Sequence, residues 1–445
     1  MNISSTASAF VPLLKQHKLI SKRESDDKYK LIMLSLFKDL LEAEKYIENK
    51  CQVTKTVYTS TQHQIEDHIH LSKNTRFFPK AIRKYIQDTP CSLIKYTCEI
   101  EGRENNVYFY SYANEVGANE MVGANGMVGA NEMVGANEMG ANEMGANEMD
   151  TNLTLSVKLM FMWLYICIKN AKQTCAKELN VYIFLTPFKK TLPPKKTSIL
   201  SAEHVNTAFT YCCLPEGEIT IFRAEEWFKV FIHESFHAYN LDFGLTAVPA
   251  SLQDQLKSLF HIKSEFNINE AYSETWARIM NGVLYSFASL TEREKSFDTF
   301  FMYTDFCLQL ERLFSLYQLN KILDFMGLNY TDITSAQVYL KAHLYKEDTH
   351  VFGYYILTAL FLNDYKEFMQ WCAAINNNNS IMKFNSIMKF NCQAESFQKM
   401  ATYIQQIHHK DDVLRMLSLL QSKKIKTTAA VLRTTRMSII DLVDI

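Results

Sequence analysis

The chain has 445 residues, with 47 Lys and Arg against 48 Asp and Glu, which gives a formal net charge of −1. This balance excludes the large positive excess that is typical of nucleic-acid-binding proteins, so we expect no nucleic-acid partner. With 47% hydrophobic and 21% charged residues, the composition is that of a globular protein with a buried core.

No membrane span and no secretion signal are predicted. The longest apolar stretch, 159–168, lies between Lys158 and Lys169 and falls short of the about 18–20 residues that a span requires. The N-terminal residues lack the basic start and apolar stretch of a signal peptide. The ten cysteines are scattered without a CxxC pair, which predicts free thiols in a reducing compartment. We therefore expect a cytoplasmic protein.

The first predicted elements mix helix and strand. Apolar residues at helical spacing predict a helix over 28–48, and residues 53–59 are typical of a strand. Two further strands, joined by a short turn, are predicted at 91–101 and 107–112. We therefore expect residues 1–90 to form an N-terminal α/β region, with a new unit beginning after it.

A low-complexity repeat then interrupts the chain. Residues 113–150 repeat a unit of five or six residues, such as GANEM, and contain seven of the 13 glycines. Small, polar and acidic residues bury too little surface to offset the entropy of the chain. The repeat is therefore predicted to be a disordered loop that grew by tandem duplication.

Strands and helices alternate after the repeat. A helix is predicted over 154–178, followed by strands at 180–185, 204–211 and 218–222. A helix over 224–240 follows the last of these strands directly. This order places the residues of that helix at the end of a sheet, where a cleft is expected.

The remainder of the chain is predicted to be mostly helical. All eight prolines lie at or before Pro249, and only three glycines follow Gly244. Because proline and glycine are the residues least compatible with a helix interior, their scarcity favours long helices. We expect residues 291–445 to form a helical C-terminal region.

The helix over 224–240 carries an HExxH motif, made by His233, Glu234 and His237. Two histidines four residues apart lie on one face of a helix, so both rings can direct a nitrogen at one ion. Imidazole suits Zn²⁺, and the intervening carboxylate can flank the open coordination position as a general base. The motif therefore predicts a zinc site with Glu234 beside it.

A second helix offers the carboxylates that such a site requires. The sequence NEAYSE places Glu270 and Glu274 four residues apart, again on one helical face. Catalytic zinc sites usually have three protein ligands, and an outer carboxylate commonly orients a ligand histidine. The spacing is typical of one ligand carboxylate and one orienting carboxylate.

HExxH followed by NExxSE resembles the gluzincin, or thermolysin-like, zinc metallopeptidases, over about ninety residues within 180–284 at most. The resemblance implies His233, His237 and Glu270 as zinc ligands and Glu234 as catalytic base. It implies Glu274 as the partner of His233 or His237. The gap of 32 residues between His237 and Glu270 is longer than in the type members. The third ligand therefore stays open to four other residues, namely Glu265, Glu274, Asp242 and His261.

The resemblance also implies residues for substrate and oxyanion. The strand 204–211, with Asn206 and Ala208, is similar to the edge strand on which gluzincins bind an extended peptide. Gluzincins use a Tyr or His from a later helix as oxyanion donor, and the candidates here are His350, Tyr354 and Tyr355, of which Tyr354 and His350 are preferred. The alternative is that these residues are aromatic core residues of an apolar helix.

Together these patterns predict an α+β fold. Residues 91–290 would form a zincin-like catalytic domain of a small mixed sheet with an active-site helix and a ligand helix. The expected function is zinc-dependent hydrolysis of peptide or protein substrates. The alternative is a catalytically idle zincin-fold structural or assembly protein. The block 221–237 and the slippage-type repeats also resemble metallopeptidase-like proteins of large cytoplasmic DNA viruses, which implies the host cytoplasm or the virion.

Overall fold

The computed structural model describes residues 3–16, 27–58, 77–112, 139–335, 341–376, 387–422 and 429–442. These residues form an α+β protein, which confirms the predicted fold class at that level. Six strands make one mixed sheet, and helices pack around it.

The sheet has the strand order β1-β2-β3-β4-β6-β5. Strands β1, β2 and β3 pair antiparallel, β3, β4 and β6 pair parallel, and β5 returns antiparallel to β6 at the edge. The strands are β1 (Thr54–Tyr58), β2 (Cys91–Ile100), β3 (Arg103–Tyr112), β4 (Glu178–Leu185), β5 (Ala208–Thr210) and β6 (Glu216–Ile221).

Helices make up most of the remaining described structure. A π-helical turn, Phe352–Leu357, leads directly into the eleventh of them. The helices are α1 (Ser5–Gln16), α2 (Asp27–Lys50), α3 (Lys80–Asp88), α4 (Met139–Asn170), α5 (Ala202–Val205), α6 (Trp227–Ala238), α7 (Ala250–Leu259), α8 (Ile268–Ala288), α9 (Phe297–Phe325), α10 (Tyr330–Thr334), α11 (Thr358–Asn363), α12 (Tyr365–Asn376), α13 (Ala394–Ile407), α14 (Asp411–Ser422) and α15 (Ala429–Arg433).

The two faces of the sheet are covered differently. One face packs into the main core, which includes residues of α2, α4, α6, α8 and α9. The other face carries a smaller aromatic cluster in which Ile82 and Ile86 of α3 pack with Tyr110, Phe184 and Phe209. Helix α6 follows β6, so it begins beyond the C-terminal end of that strand, and its residues belong to the main core.

Two predictions about elements need correction. The predicted strand 204–211 is a short helix, α5, followed by a strand of three residues, because the Nδ1 atom of His204 accepts from the Ser201 backbone and caps a helical turn. The repeat lies outside the described residues as far as 138, but residues 139–150 are the first turns of α4 rather than a loop. Helix α4 ends at Asn170, whereas the predicted helix extends to residue 178.

The prediction that all ten cysteines are free thiols is wrong for two of them. Cys175 and Cys213 form a disulfide, while the other eight are not disulfide-bonded. Cys175 precedes β4 and Cys213 precedes β6, and the first residues of these parallel strands, Glu178 and Glu216, are paired. Because the sheet brings the two cysteines together across 38 positions of sequence, their spacing along the chain did not indicate the bond.

The longest apolar helix belongs to the core. Among the described helices, only the stretch Leu153–Asn170 is by length and composition apolar enough to cross a membrane. Sixty-seven per cent of it is buried inside the protein, and Trp163 within it packs against Phe236 of α6. This burial is consistent with the predicted absence of a membrane span.

Candidate metal centre

The HExxH motif lies on α6, a helix whose residues are all buried. Its N-terminal end is anchored by Glu226, which takes a left-handed backbone conformation at φ 59°. The Glu226 carboxylate lies 2.5 Å from Lys190 Nζ and accepts from the backbone N–H of Met437. The C-terminal segment of the chain therefore helps to hold the motif helix, although it lies more than 200 residues away in sequence.

Three candidate ligand atoms converge where α6 meets α8. The Nε2 atoms of His233 and His237 lie 3.2 Å apart. The Oε2 atom of Glu270 lies 3.1 Å from His233 Nε2 and 3.6 Å from His237 Nε2. Among the described residues, these three make up the one group of His, Cys, Asp or Glu side chains whose ligand atoms lie close enough together to hold a metal ion.

The size of this triangle fits zinc. Ligand distances of about 2.0–2.2 Å in tetrahedral geometry require ligand atoms about 3.3–3.6 Å apart. The observed edges of 3.1, 3.2 and 3.6 Å lie close to that requirement. Two imidazole nitrogens and one carboxylate oxygen are also the donor types that a catalytic zinc site uses, with a fourth position left for solvent.

Each of these histidines has a carboxylate close to its other ring nitrogen. The Nδ1 atom of His233 lies 3.1 Å from Glu274 Oε2, and His237 Nδ1 pairs with Asp242. Asn240, in a left-handed conformation at φ 51°, turns the chain after α6 so that Asp242 reaches back to the ring. Two of the alternative third ligands, Glu274 and Asp242, therefore lie behind the histidines rather than among the ligand atoms.

The two remaining alternatives lie away from the triangle. Glu265 is exposed, and His261, which is half-buried, belongs to the loop between α7 and α8. The backbone N–H of His261 donates to the carbonyl of Ile333. Glu270 comes within 3.6 Å of both Nε2 atoms because it lies in the first turn of α8, which packs against α6.

Glu234 lines a cavity of about 270 Å³ together with His233, His237 and Glu270. Burial raises the pKa of the Glu234 carboxyl, although the nearby histidines oppose this shift. A carboxyl group whose pKa lies above its ordinary value accepts a proton more readily, which is the property of a general base. The aromatic side chains of Phe77, Phe209 and Phe243 form apolar parts of the same wall.

Residues predicted to bind substrate also line this cavity. Ala208 is in β5, where it pairs with Ile221, and Asn206 precedes the strand. The Oδ1 atom of Asn206 accepts from Thr349 Oγ1 at 2.9 Å, which fixes the orientation of its amide. The edge position of β5 leaves one side of this strand without a partner strand in the described sheet.

The two predicted oxyanion donors line the same cavity. The hydroxyl group of Tyr354 donates to Glu270 Oε2 at 2.9 Å, and its ring centre lies 5.8 Å from that of His233. His350 lines the cavity one turn earlier, with its ring 6.2 Å from that of Tyr354. Tyr354 therefore contacts a ligand atom directly, whereas His350 stands farther out.

A glycine allows Tyr354 to come this close. Gly353, beside it in the π-helical turn, faces the start of α8, and a Cβ atom there would lie 2.8 Å from the carbonyl oxygen of Asn267. Such a contact is shorter than side chains tolerate, so the turn would have to move away from α8. Single π-helical turns are frequent at functional sites, where they redirect one side chain.

We expect Gly353→Ala to lower the free energy of unfolding by about 1–3 kcal/mol, the usual result of overpacking. Denaturant unfolding measures the effect. Gly282→Ala in α8 is the matched control, because its Cβ would lie 3.4 Å from the nearest atom and alanine favours a helix by about 1 kcal/mol. Equal losses in both variants would contradict the assigned contact.

Protons compete with a metal at this site. Burial lowers the pKa of His233, but the carboxylates of Glu270 and Glu274 outweigh burial and raise it to about 9. Burial opposes a similar rise for His237, whose pKa is held well above its ordinary value by Asp242 and Glu270. The carboxylates therefore favour the protonated forms of these rings in the metal-free protein, and a metal must displace protons to bind.

Zinc affinity should therefore increase with pH, by at least about 10-fold per unit between pH 6 and 8, because each displaced proton contributes one power of ten. Competition with a chelator of known zinc affinity, repeated across this range, measures the slope. A flat profile, after correction for the chelator's own protonation, would mean that the histidines are not ligands.

Sequence reasoning overlooked several contributors to the site. Asp242 was weighed only as a ligand, and neither Lys229, which contacts Glu274, nor Ser273, which donates to Asp242, was singled out. Lys229 precedes His233 by four residues, so helical spacing alone places both on one face.

No protein-family profile, curated protein or solved structure matches the chain.

Proposed function

We propose that the protein is a zinc-dependent metallopeptidase of the gluzincin type, with a zincin-like core made by the sheet, α6 and α8. The observation that carries this proposal is the triangle of His233 Nε2, His237 Nε2 and Glu270 Oε2. Glu234 supports it further, because a purely structural zinc site has no use for a carboxylate beside the ligands.

The chain's own residues have separable parts in the proposed reaction. A bound zinc ion supplies Lewis-acid chemistry, which polarises the scissile carbonyl and makes a water molecule more acidic. Glu234 takes the proton from the attacking water and returns it to the leaving amine. Tyr354 and His350 line the wall from which a donor to the developing oxyanion would come.

The substrate is proposed to be a peptide in extended conformation. Strand β5 is at the edge of the sheet and lines the cavity, so a peptide backbone can add to it as a further strand. Asn206 and Ala208 would then contact the substrate backbone. We place the protein in the cytoplasm, or in the virion if the chain is viral, as the second resemblance implies.

The test is metal content together with hydrolysis. The purified protein should bind one zinc ion per chain and cleave members of a mixed fluorogenic peptide library. A chelator should abolish cleavage, and added zinc should restore it. Stoichiometric zinc without cleavage of any peptide would favour the idle structural protein, and a failure to bind zinc would overturn both alternatives.

A further inference from the structure

Lys229 is a buried lysine that the proposed reaction does not use. It lies on α6 one turn before His233, and 3% of its side chain is exposed. Its Nζ atom donates to both oxygens of Glu274, at 2.9 and 3.0 Å. A buried ammonium group is costly unless it is paired, so this bidentate contact is its compensation.

The contact extends toward the ligand triangle. Glu274 Oε2, one of the two oxygens held by Lys229, lies 3.1 Å from His233 Nδ1. The Nε2 atom of the same ring lies 3.1 Å from Glu270. Lys229, Glu274 and His233 thus form a continuous series of polar contacts that ends at the ligand atoms.

The packing of α6 against α8 explains why these residues meet. Residues 229, 233 and 237 follow one face of α6, and residues 270 and 274 follow one face of α8. Contacts pair Lys229 with Glu274, His233 with both glutamates, and His237 with Glu270, which is the order of two antiparallel helices. The contact of Lys229 with Glu274 therefore lies one helical turn from the contacts of the histidines with Glu270.

The second histidine is supported in a different way. Asp242, the partner of His237, accepts from neutral donors, namely Ser273 Oγ at 3.2 Å and the backbone N–H of Gly244 at 3.2 Å. In the described part of the chain, Lys229 is the one lysine or arginine whose side chain forms an ion pair with Glu274 or Asp242, the two orienting carboxylates. The lysine is therefore specific to the His233 side of the centre.

We propose that Lys229 is a positioning residue of the metal centre. By holding both oxygens of Glu274, it prevents the carboxylate from rotating away from His233 Nδ1, and the fixed ring then directs Nε2 at the metal. The proposal rests on the proposed metal site and adds a residue that acts through Glu274 alone. Orienting contacts of this kind contribute about 10- to 100-fold to metal affinity.

The experiment is a double-mutant cycle with zinc affinity as readout, measured by chelator competition on the metal-free protein. Lys229→Met and Glu274→Gln should each weaken zinc binding about 10-fold or more. Because Lys229 acts through Glu274, the double variant should bind zinc no more weakly than Glu274→Gln. The visible absorption spectrum of the Co²⁺-substituted protein should change in the same variants, since ring orientation alters the ligand field.

Lys190→Met is the matched control. Lys190 is also a buried lysine, 1% exposed and paired with buried Glu226, and it lines the same small cavity of about 30 Å³ as Lys229. It contacts no orienting carboxylate, so its loss should lower the free energy of unfolding while zinc affinity stays within about 3-fold of wild type. Equal loss of affinity in Lys190→Met and Lys229→Met would overturn the inference.

The outcomes separate the inference from the proposed function. If the wild type does not bind zinc, the proposed function fails. If the wild type binds zinc and Lys229→Met binds it equally well, or if the two substitutions act additively, the positioning role fails alone. Should Lys229→Met not fold, the comparison of Glu274→Gln with the charge-balanced double variant still decides, because equal affinities support the inference and a further loss overturns it.

Discussion

Glu234→Gln should reduce kcat/KM for peptide hydrolysis by about 100- to 10,000-fold while one zinc ion per chain is retained. The reduction is the usual contribution of a general base, which glutamine cannot replace because it does not take up a proton. Glutamine has nearly the same shape, and Glu234 lies outside the ligand triangle, so metal binding should be unaffected. Steady-state hydrolysis and zinc analysis of the same preparation measure both quantities.

The stability of the metal-free protein provides a control for this variant. Because burial raises the pKa of the Glu234 carboxyl, the ionised form is disfavoured in the folded protein. A neutral amide removes that cost, so the metal-free variant should be at least as stable as wild type at neutral pH. Full activity in a correctly folded, zinc-loaded Glu234→Gln protein would exclude the proposed mechanism.

Glu270→Ala should weaken zinc binding by more than about 100-fold, which exceeds the effect of removing an outer carboxylate. Glu270 Oε2 lies within 3.6 Å of both ligand nitrogens, and alanine leaves the ion with two protein ligands. Tyr354 also loses the acceptor of its hydroxyl group. Chelator competition at fixed pH measures the change.

Three further alanine variants test the ligand assignment itself. Glu274→Ala and Asp242→Ala should weaken zinc binding by about 10- to 100-fold, because their carboxylates lie behind the histidines. Glu265→Ala, at an exposed position, should have no effect. A larger loss in Glu274→Ala than in Glu270→Ala would exchange the roles of the two glutamates.

Much of the secondary structure was predicted correctly from the spacing of residues along the chain. The helices around HExxH and NExxSE, and the strands at 91–101, 180–185 and 218–222, follow from the periodicity of apolar residues and are observed with shifted ends. The proximity of His233 and His237 was expected because residues four apart share a helical face, whereas Glu270 as their third partner was implied only by the resemblance to gluzincins. Such patterns depend on neighbours within one or two turns, which a sequence displays directly.

Contacts between distant segments could not be read in this way. The Cys175–Cys213 disulfide depends on which strands are neighbours in the sheet, and the support of Glu226 by Met437 depends on the path of the C-terminal segment. The approach of Tyr354 to Glu270 requires a π-helical turn and the missing side chain of Gly353. Periodicity along the chain thus specified the elements and the ligand types, whereas the packing of α6 against α8 set which carboxylate reaches which histidine nitrogen, because that choice depends on distances between helices.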